Sequence, residues 1–201
     1  MEFVHRFDPG SSGDTLLVLH GTGGDESDLI PLARSLAPHD NLLSPRGMVL
    51  ENGMPRFFRR LDIGVFDEED LIRRASDLGA FVRAAAGRYG FDPLRVRALG
   101  YSNGANMAAA LLLLDPTLLS GAALLRAVLP LTPPRPPDLS GRSVFIAAGR
   151  RDPYAPIERV EALATLLRGS GADVDLRWSD RGHELSQGEI DATAEWLALG
   201  R

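Results

Sequence analysis

Ser102 stands in Gly100-Tyr101-Ser102-Asn103-Gly104, a Gly-x-Ser-x-Gly pattern at the point where an apolar run gives way to a helical pattern. That context predicts a sharp strand-to-helix turn that presents the hydroxyl at the carboxyl edge of a sheet, with Gly100 and Gly104 letting strand and helix approach closely. The helix that follows aims its positive end at the reacting centre, where an oxyanion forms during acyl transfer. A hydroxyl needs a base before it becomes a useful nucleophile. Of the four histidines, His5 lies on the first predicted strand and His39 in a Pro-His-Asp loop, both suited to packing or surface roles, and His20 belongs to a glycine-rich motif. His183 remains, in Asp180-Arg181-Gly182-His183-Glu184, between an apparent strand at Val174 to Trp178 and the final helix. Asp152, in Gly149-Arg150-Arg151-Asp152-Pro153, directly follows another strand and shares the same sheet edge, so it is the carboxylate expected to orient the imidazole. Asp180 is the runner-up, although so close in sequence it better suits holding the loop.

A tetrahedral intermediate also needs donors for its negative oxygen. The N–H of Asn103, next to the nucleophile, is one, and Leu19-His20-Gly21-Thr22-Gly23-Gly24-Asp25 has the glycine-rich form that lets a second amide, that of Thr22, converge on it. A dinucleotide-binding loop would require glycine where Glu26 stands, and no Gly-x-x-x-x-Gly-Lys phosphate loop occurs. Four dispersed histidines without ligand spacing form no metal motif, so no metal or cofactor is expected.

The elements that must position these groups follow from periodicity. Short apolar runs at Thr15 to Leu19, Arg95 to Leu99, Gly121 to Val128 and Ser143 to Ala148 lack polar alternation and read as buried, mostly parallel strands. Helices are expected at Ser27 to Leu36, Asn103 to Leu114, Pro156 to Arg168 and Ser186 to Leu199. Another follows Asp67-Glu68-Glu69-Asp70 and ends near Gly90, with Leu71, Leu78, Phe81, Val82 and Tyr89 at helical spacing. Alternating β and α elements specify a three-layer α/β/α sandwich, and the chain order Ser, Asp, His is that of α/β-hydrolases. Pro133-Pro134-Arg135-Pro136-Pro137, between two strands, reads as a surface loop rather than a polyproline ligand.

Composition bounds the alternatives. A chain of 201 residues with 44% hydrophobic content supports one core, so residues 1–201 are expected to form a single domain. A net charge of −5 disfavours nucleic acid as a partner, and zero cysteines exclude disulfides and thiol nucleophiles. Residues 1 to 7 lack the apolar region of a signal peptide and no run of 18 apolar residues occurs, so a soluble, cytoplasmic protein without membrane insertion is expected.

Together, His20 to Gly24, Gly100 to Gly104, the Asp152 segment and the His183 loop resemble the phospholipase/carboxylesterase family of small α/β-hydrolases, over a stretch from about Thr15 to Trp196. Leu50-Glu51-Asn52-Gly53-Met54-Pro55-Arg56-Phe57-Phe58-Arg59-Arg60 is similar to the bacterial subgroup linked to methylhydroquinone or catechol stress. The resemblance implies Ser102 as nucleophile, His183 as base then acid, Asp152 as orienting acid, and Thr22 and Asn103 as oxyanion donors. It implies a pocket walled by Gly23, Met54, Phe57, Phe58, Leu129, Pro130 and Leu131, a small-molecule ester as substrate, and a homodimer, common in the family. Arg56, Arg59 and Arg60 either meet an anionic substrate or, as preferred here, pair with Asp67, Glu68, Glu69 and Asp70.

Two departures narrow the activity. Dienelactone hydrolases of this fold use a cysteine nucleophile, which this chain lacks, and the loop before the helix near Glu68 is shorter than in acyl-protein thioesterases. There is no insertion for a cap domain. The expected activity is therefore a serine carboxylesterase acting on short-chain or aryl esters through an acyl-enzyme. A thioesterase or lysophospholipase is the alternative, and a non-catalytic binding module the third reading.

Overall fold

The computed structural model describes residues 3 to 199. The chain lays down β1 (His5–Asp8), β2 (Thr15–Leu19), α1 (Ile30–Leu36) and β3 (Asn41–Pro45). Two short hairpins follow, β4 (Val49–Glu51) with β5 (Met54–Arg56) and β6 (Arg60–Asp62) with β7 (Val65–Phe66). Helix α2 (Glu68–Tyr89) then leads into β8 (Val96–Tyr101), α3 (Asn103–Leu114), β9 (Gly121–Leu125), β10 (Ser143–Gly149), α4 (Ile157–Gly169), β11 (Asp173–Ser179) and α5 (Gln187–Leu199). Seven strands form one sheet in the order β1-β3-β2-β8-β9-β10-β11, with β1 antiparallel to β3 and every other pair parallel.

Strand alternation divides the apolar residues between two cores. Leu17, Leu19, Ala98, Leu124 and Ile146 pack with α2, α3 and α4 on one face, while Leu16, Val18, Leu99, Leu125 and Phe145 pack with α1 and α5 on the other. The result is the three-layer α/β/α sandwich of the α/β-hydrolase fold, with a continuous apolar run in each central strand because both faces are covered. No cap domain is present among the described residues; the two hairpins are the only inserted ribbons described at the sheet edge. No helix among them is long and apolar enough to cross a membrane.

Helix ends follow local chemistry. Asp67 caps α2 by accepting from the Asp70 N–H at 3.0 Å, and Gly90 closes it in the left-handed conformation at φ 74°. Helix α3 spans Asn103–Leu114 as its periodicity predicts, and nearly every side is buried, since it lies against β8, β9 and α2. Two expectations need correction. The strand expected over Gly121 to Val128 stops at Leu125, because Arg126 turns the chain at φ 63°. The helix expected from Ser27 begins only at Ile30, since an N–H of Ser27 bonds to Asp25 Oδ1 in a turn instead. Strand β3 and both hairpins carry too few residues, or too mixed a pattern, to stand out by periodicity. The proline-rich segment is a loop between β9 and β10, exposed at Pro134, Arg135 and Pro136.

Candidate active site

Strand β8 delivers its chain to Ser102, which adopts φ 54° and ψ −114° at the head of α3. For a residue with a Cβ this is a strained conformation, costing about 1–3 kcal/mol, and the surroundings hold it. The Ser102 N–H donates to Leu125 O at 2.8 Å and its carbonyl accepts from the Asn106 N–H at 3.0 Å, so the ladder ends and the helix begins at the turn. Both flanking glycines are obligatory. A Cβ on Gly104 would lie 2.1 Å from Leu19 O, and one on Gly100 would lie 2.6 Å from Ala105 Cα.

Three sheet-edge loops converge on that turn. His183 Nε2 lies 2.9 Å from Ser102 Oγ, and His183 Nδ1 lies 2.7 Å from Asp152 Oδ2. With Nδ1 protonated, the ring donates to the carboxylate and leaves Nε2 free to accept the serine proton. Burial on its own would raise the Asp152 pKa. The hydrogen bond from His183, that from the Tyr154 N–H at 2.8 Å, and the charges of His183 and Arg126 outweigh it and hold the carboxyl below its ordinary range. Asp180, the runner-up, is exposed, whereas Asp152 is the carboxylate on the imidazole.

One residue that no motif marks organises the His183 loop. Arg126, with a fully buried side chain, donates from Nε to Gly182 O at 2.9 Å and from Nη2 to Glu184 O, gripping the carbonyls on either side of His183. Tyr101 donates its hydroxyl to the His183 carbonyl at 2.9 Å, so three consecutive carbonyls are held. The Arg126 charge is met by Glu189 of α5, with Nη1 to Oε1 at 2.6 Å and Nη2 to Oε2 at 3.0 Å. Burial alone would raise the Glu189 pKa, but the Arg126 pair and hydrogen bonds from Ser186 and Ser179 bring it down from 4.5 to about 2. The positive φ of Arg126 was the available sign of this role, and it is visible only in the fold.

The opposite wall is the glycine-rich loop. His20 Nε2 accepts from the Gly47 N–H at 2.9 Å, which leaves Nδ1 as the donor to Gly21 O at 2.7 Å. Burial pushes its pKa down and favours this neutral form. Gly23 takes φ 86° and donates its N–H to Pro55 O at 2.9 Å, while Arg56 Nη1 donates to Thr22 Oγ1 at 2.6 Å. Asn103 is fixed from its own side, where Oδ1 accepts from the Phe57 N–H at 2.8 Å. The Asn103 N–H, as the first of α3, has no partner within the helix and is available to an incoming oxygen.

Ser102, His183, Thr22 and Asn103 line one cavity of about 360 Å³. Its walls differ from the sequence expectation. Phe57 and Phe58 are buried in the main core, against the His20 ring at 4.7 Å and the Phe66 ring at 5.2 Å, and support the wall from behind. Leu129, Pro130 and Leu131 line a separate groove beside Glu158 and Arg159, because the chain turns away at Arg126. Met54 lies over Gly23 on the rim, and neither lines the cavity. Arg56, Arg60, Ile63, Phe66, Asn106 and Tyr154 take their place. Of the three arginines, only Arg59 pairs with the acidic stretch, to Asp67 at 2.7 Å; Arg56 and Arg60 both turn to Glu51, at 3.2 and 2.6 Å.

Comparison with known proteins agrees with this geometry. The profile of the Phospholipase/Carboxylesterase family matches residues 9–200. The chain is 48% identical over 192 residues to "Putative hydrolase MhqD" of Bacillus subtilis (strain 168), covering 96% of each protein, in keeping with the subgroup resemblance of residues 50 to 60. It superposes on the Bacillus cereus carboxylesterase with a TM-score of 0.96 at 46% identity, covering 99% of this chain and 95% of that one. YahD, solved with malic acid, gives a TM-score of 0.94 at 29% identity over the full length of both chains. The chain belongs to the phospholipase/carboxylesterase family of α/β-hydrolases.

Proposed function

We propose that this hydrolase cleaves short-chain or aryl carboxylic esters through an acyl-enzyme on Ser102. The observation that carries the reading is the unbroken line from Ser102 Oγ to His183 Nε2, at 2.9 Å, and from His183 Nδ1 to Asp152 Oδ2, at 2.7 Å. As Ser102 Oγ attacks the carbonyl carbon, His183 Nε2 takes its proton and the carbonyl oxygen becomes an anion between the N–H groups of Thr22 and Asn103. Asp152 stabilises the imidazolium. Collapse breaks the ester bond, and His183 returns the proton to the departing alkoxide, which leaves as the alcohol. Water then repeats the step, giving its proton to His183 and its oxygen to the acyl carbon, and the acid leaves as Ser102 regains its proton.

A cavity of about 360 Å³, near the lower end of small-molecule sites, favours a short acyl group over the long chain of a lysophospholipid. Malic acid, bound in YahD, is likewise small and polar. The test is fluorophosphonate labelling with an ester chain-length series on wild type and Ser102→Ala. Labelling at Ser102, turnover that falls with chain length, and loss of both in the variant are expected. Full activity in Ser102→Ala overturns the assignment, and rates that rise with chain length favour the thioesterase or lysophospholipase reading.

A further inference from the structure

The charges on one wall of the cavity do not balance. Its lining holds three arginines, Arg56, Arg60 and Arg126, and no carboxylate. Arg126 is met by Glu189 and, at 4.0 Å, by Asp152, whereas Arg56 and Arg60 share the single carboxylate of Glu51, which leaves one positive charge in excess on that wall. Arg60 spends Nε and Nη2 on the same oxygen, Glu51 Oε1, at 3.0 and 2.6 Å, and its side chain is 27% exposed. Behind Phe66 stands Arg159, its guanidinium 5.0 Å from the ring centroid, bonded to the carbonyls of Gly64 and Leu129 and paired with no carboxylate among the described residues. Arg60 is the more accessible of the pair on Glu51, since the Arg56 side chain is only 4% exposed. A wall with a surplus cation suits a negatively charged ligand rich in acceptors.

The geometry also points to which half of the ester bears the charge. His183 must return a proton to the leaving oxygen, so the alcohol half lies toward His183 and the Tyr154 ring that packs on it at 5.1 Å. Arg56 touches the oxyanion loop instead, through Thr22 at 2.6 Å, and Arg60 shares Glu51 with it. We therefore propose that the site takes esters whose acyl half carries a carboxylate, that is, monoesters of short dicarboxylic acids, with Arg60 as the residue that meets the free carboxylate. This rests on Ser102 being the nucleophile of an esterase.

Alkyl esters make the cleaner probes, since an aryl hemiester is prone to attack by its own carboxylate. Monoethyl glutarate is compared with ethyl valerate, a neutral ester of equal acyl length, and with O-acetylglycolate, whose charge sits on the alcohol half. Wild type should favour monoethyl glutarate over ethyl valerate by about tenfold or more in kcat/KM, the order expected of one charge-assisted contact, and the ratio should shrink as salt is raised. Arg60→Gln should bring the ratio toward one. Glu51→Gln should raise it by freeing both guanidinium groups, which gives a change of opposite sign should either variant fold poorly. A ratio at or below one in wild type, or one unchanged in a folded Arg60→Gln, overturns the proposal, and preference for O-acetylglycolate over both other esters overturns the acyl-side assignment. Labelling of Ser102 without turnover of any of the three also overturns it while leaving the nucleophile in place; absence of both labelling and turnover defeats the esterase reading itself.

Discussion

The loop that carries His183 and the hairpins that face it across the cavity are held in contrasting ways. Around His183, carbonyls of three consecutive residues accept from Tyr101 and from a guanidinium wholly removed from solvent, and that guanidinium is answered by a buried carboxylate. Across the cavity, the hairpins are two or three residues long on each side and expose Leu61 at 72%, Ile63 at 63% and Val65 at 51%. Hydrogen bonds to three successive carbonyls hold the imidazole between Ser102 and Asp152, the placement proton transfer demands. A short, exposed hairpin can change sequence at little cost in stability. On the proposed function, chemistry and selectivity fall to parts of the molecule with different tolerance for change.

Removing a member of the rigid side should have the largest consequence. Asp152→Asn keeps the volume but offers the imidazole a neutral partner, and turnover of a good ester should fall by on the order of 10³–10⁴ while the melting curve hardly moves. Steady-state kinetics beside calorimetry checks both halves of that statement. Arg126→Met acts mainly on folding: it strands Glu189 without its cation and two carbonyls without donors, at a cost of about 3–5 kcal/mol in denaturant unfolding. The paired change Arg126→Met with Glu189→Leu should recover part of that loss, because no charge is then left buried alone. If the single variant proves as stable as wild type, the contrast between the two walls fails.

The same pair sets an acid limit. Glu189 has a folded-state pKa of about 2 against an ordinary 4.5, so its contribution is complete above about 4.5 and is lost as pH falls toward 2. The shift corresponds to about 3 kcal/mol over that window. Unfolding free energy measured between pH 5 and 2 should decline steeply in wild type and less steeply in Glu189→Gln. The smallest effect belongs to the rim. Ile63→Ser should change stability by less than about 0.5 kcal/mol and shift KM among esters a few fold, leaving kcat for the best one nearly constant. A large loss of stability there would show the hairpins to be as tightly held as the His183 loop.

How far the sequence reveals these features depends on how local each signal is. Ser102 was legible because two glycines and a strand-to-helix change surround it within a few residues, and α2 because Asp67 and Gly90 bracket a clear period. Asp152 and His183 follow from loop position, as each stands just beyond a strand of the parallel sheet. The cavity wall is another matter. Phe57 and Phe58 look like lining because they are large and apolar, and the same property draws them into the core, leaving Arg56 to turn toward Thr22 and Glu51. Asn52-Gly53, with φ values of 51° and 80°, carries the signature of a two-residue hairpin turn and could have revealed the β4–β5 ribbon. Arg126 had no local signal, since its partners lie 21 to 63 positions away.

Glu189 lies on α5, the last helix among the described residues, and this orders events during synthesis. A growing polypeptide contains Ser102, Asp152 and His183 well before the helix bearing Glu189 is complete. Until α5 packs home, Arg126 lacks the two-oxygen partner that faces it beneath the His183 loop. Packing of α5 therefore completes the support of the His183 loop, and hydrolase activity regained on refolding should follow, not precede, the docking of that helix.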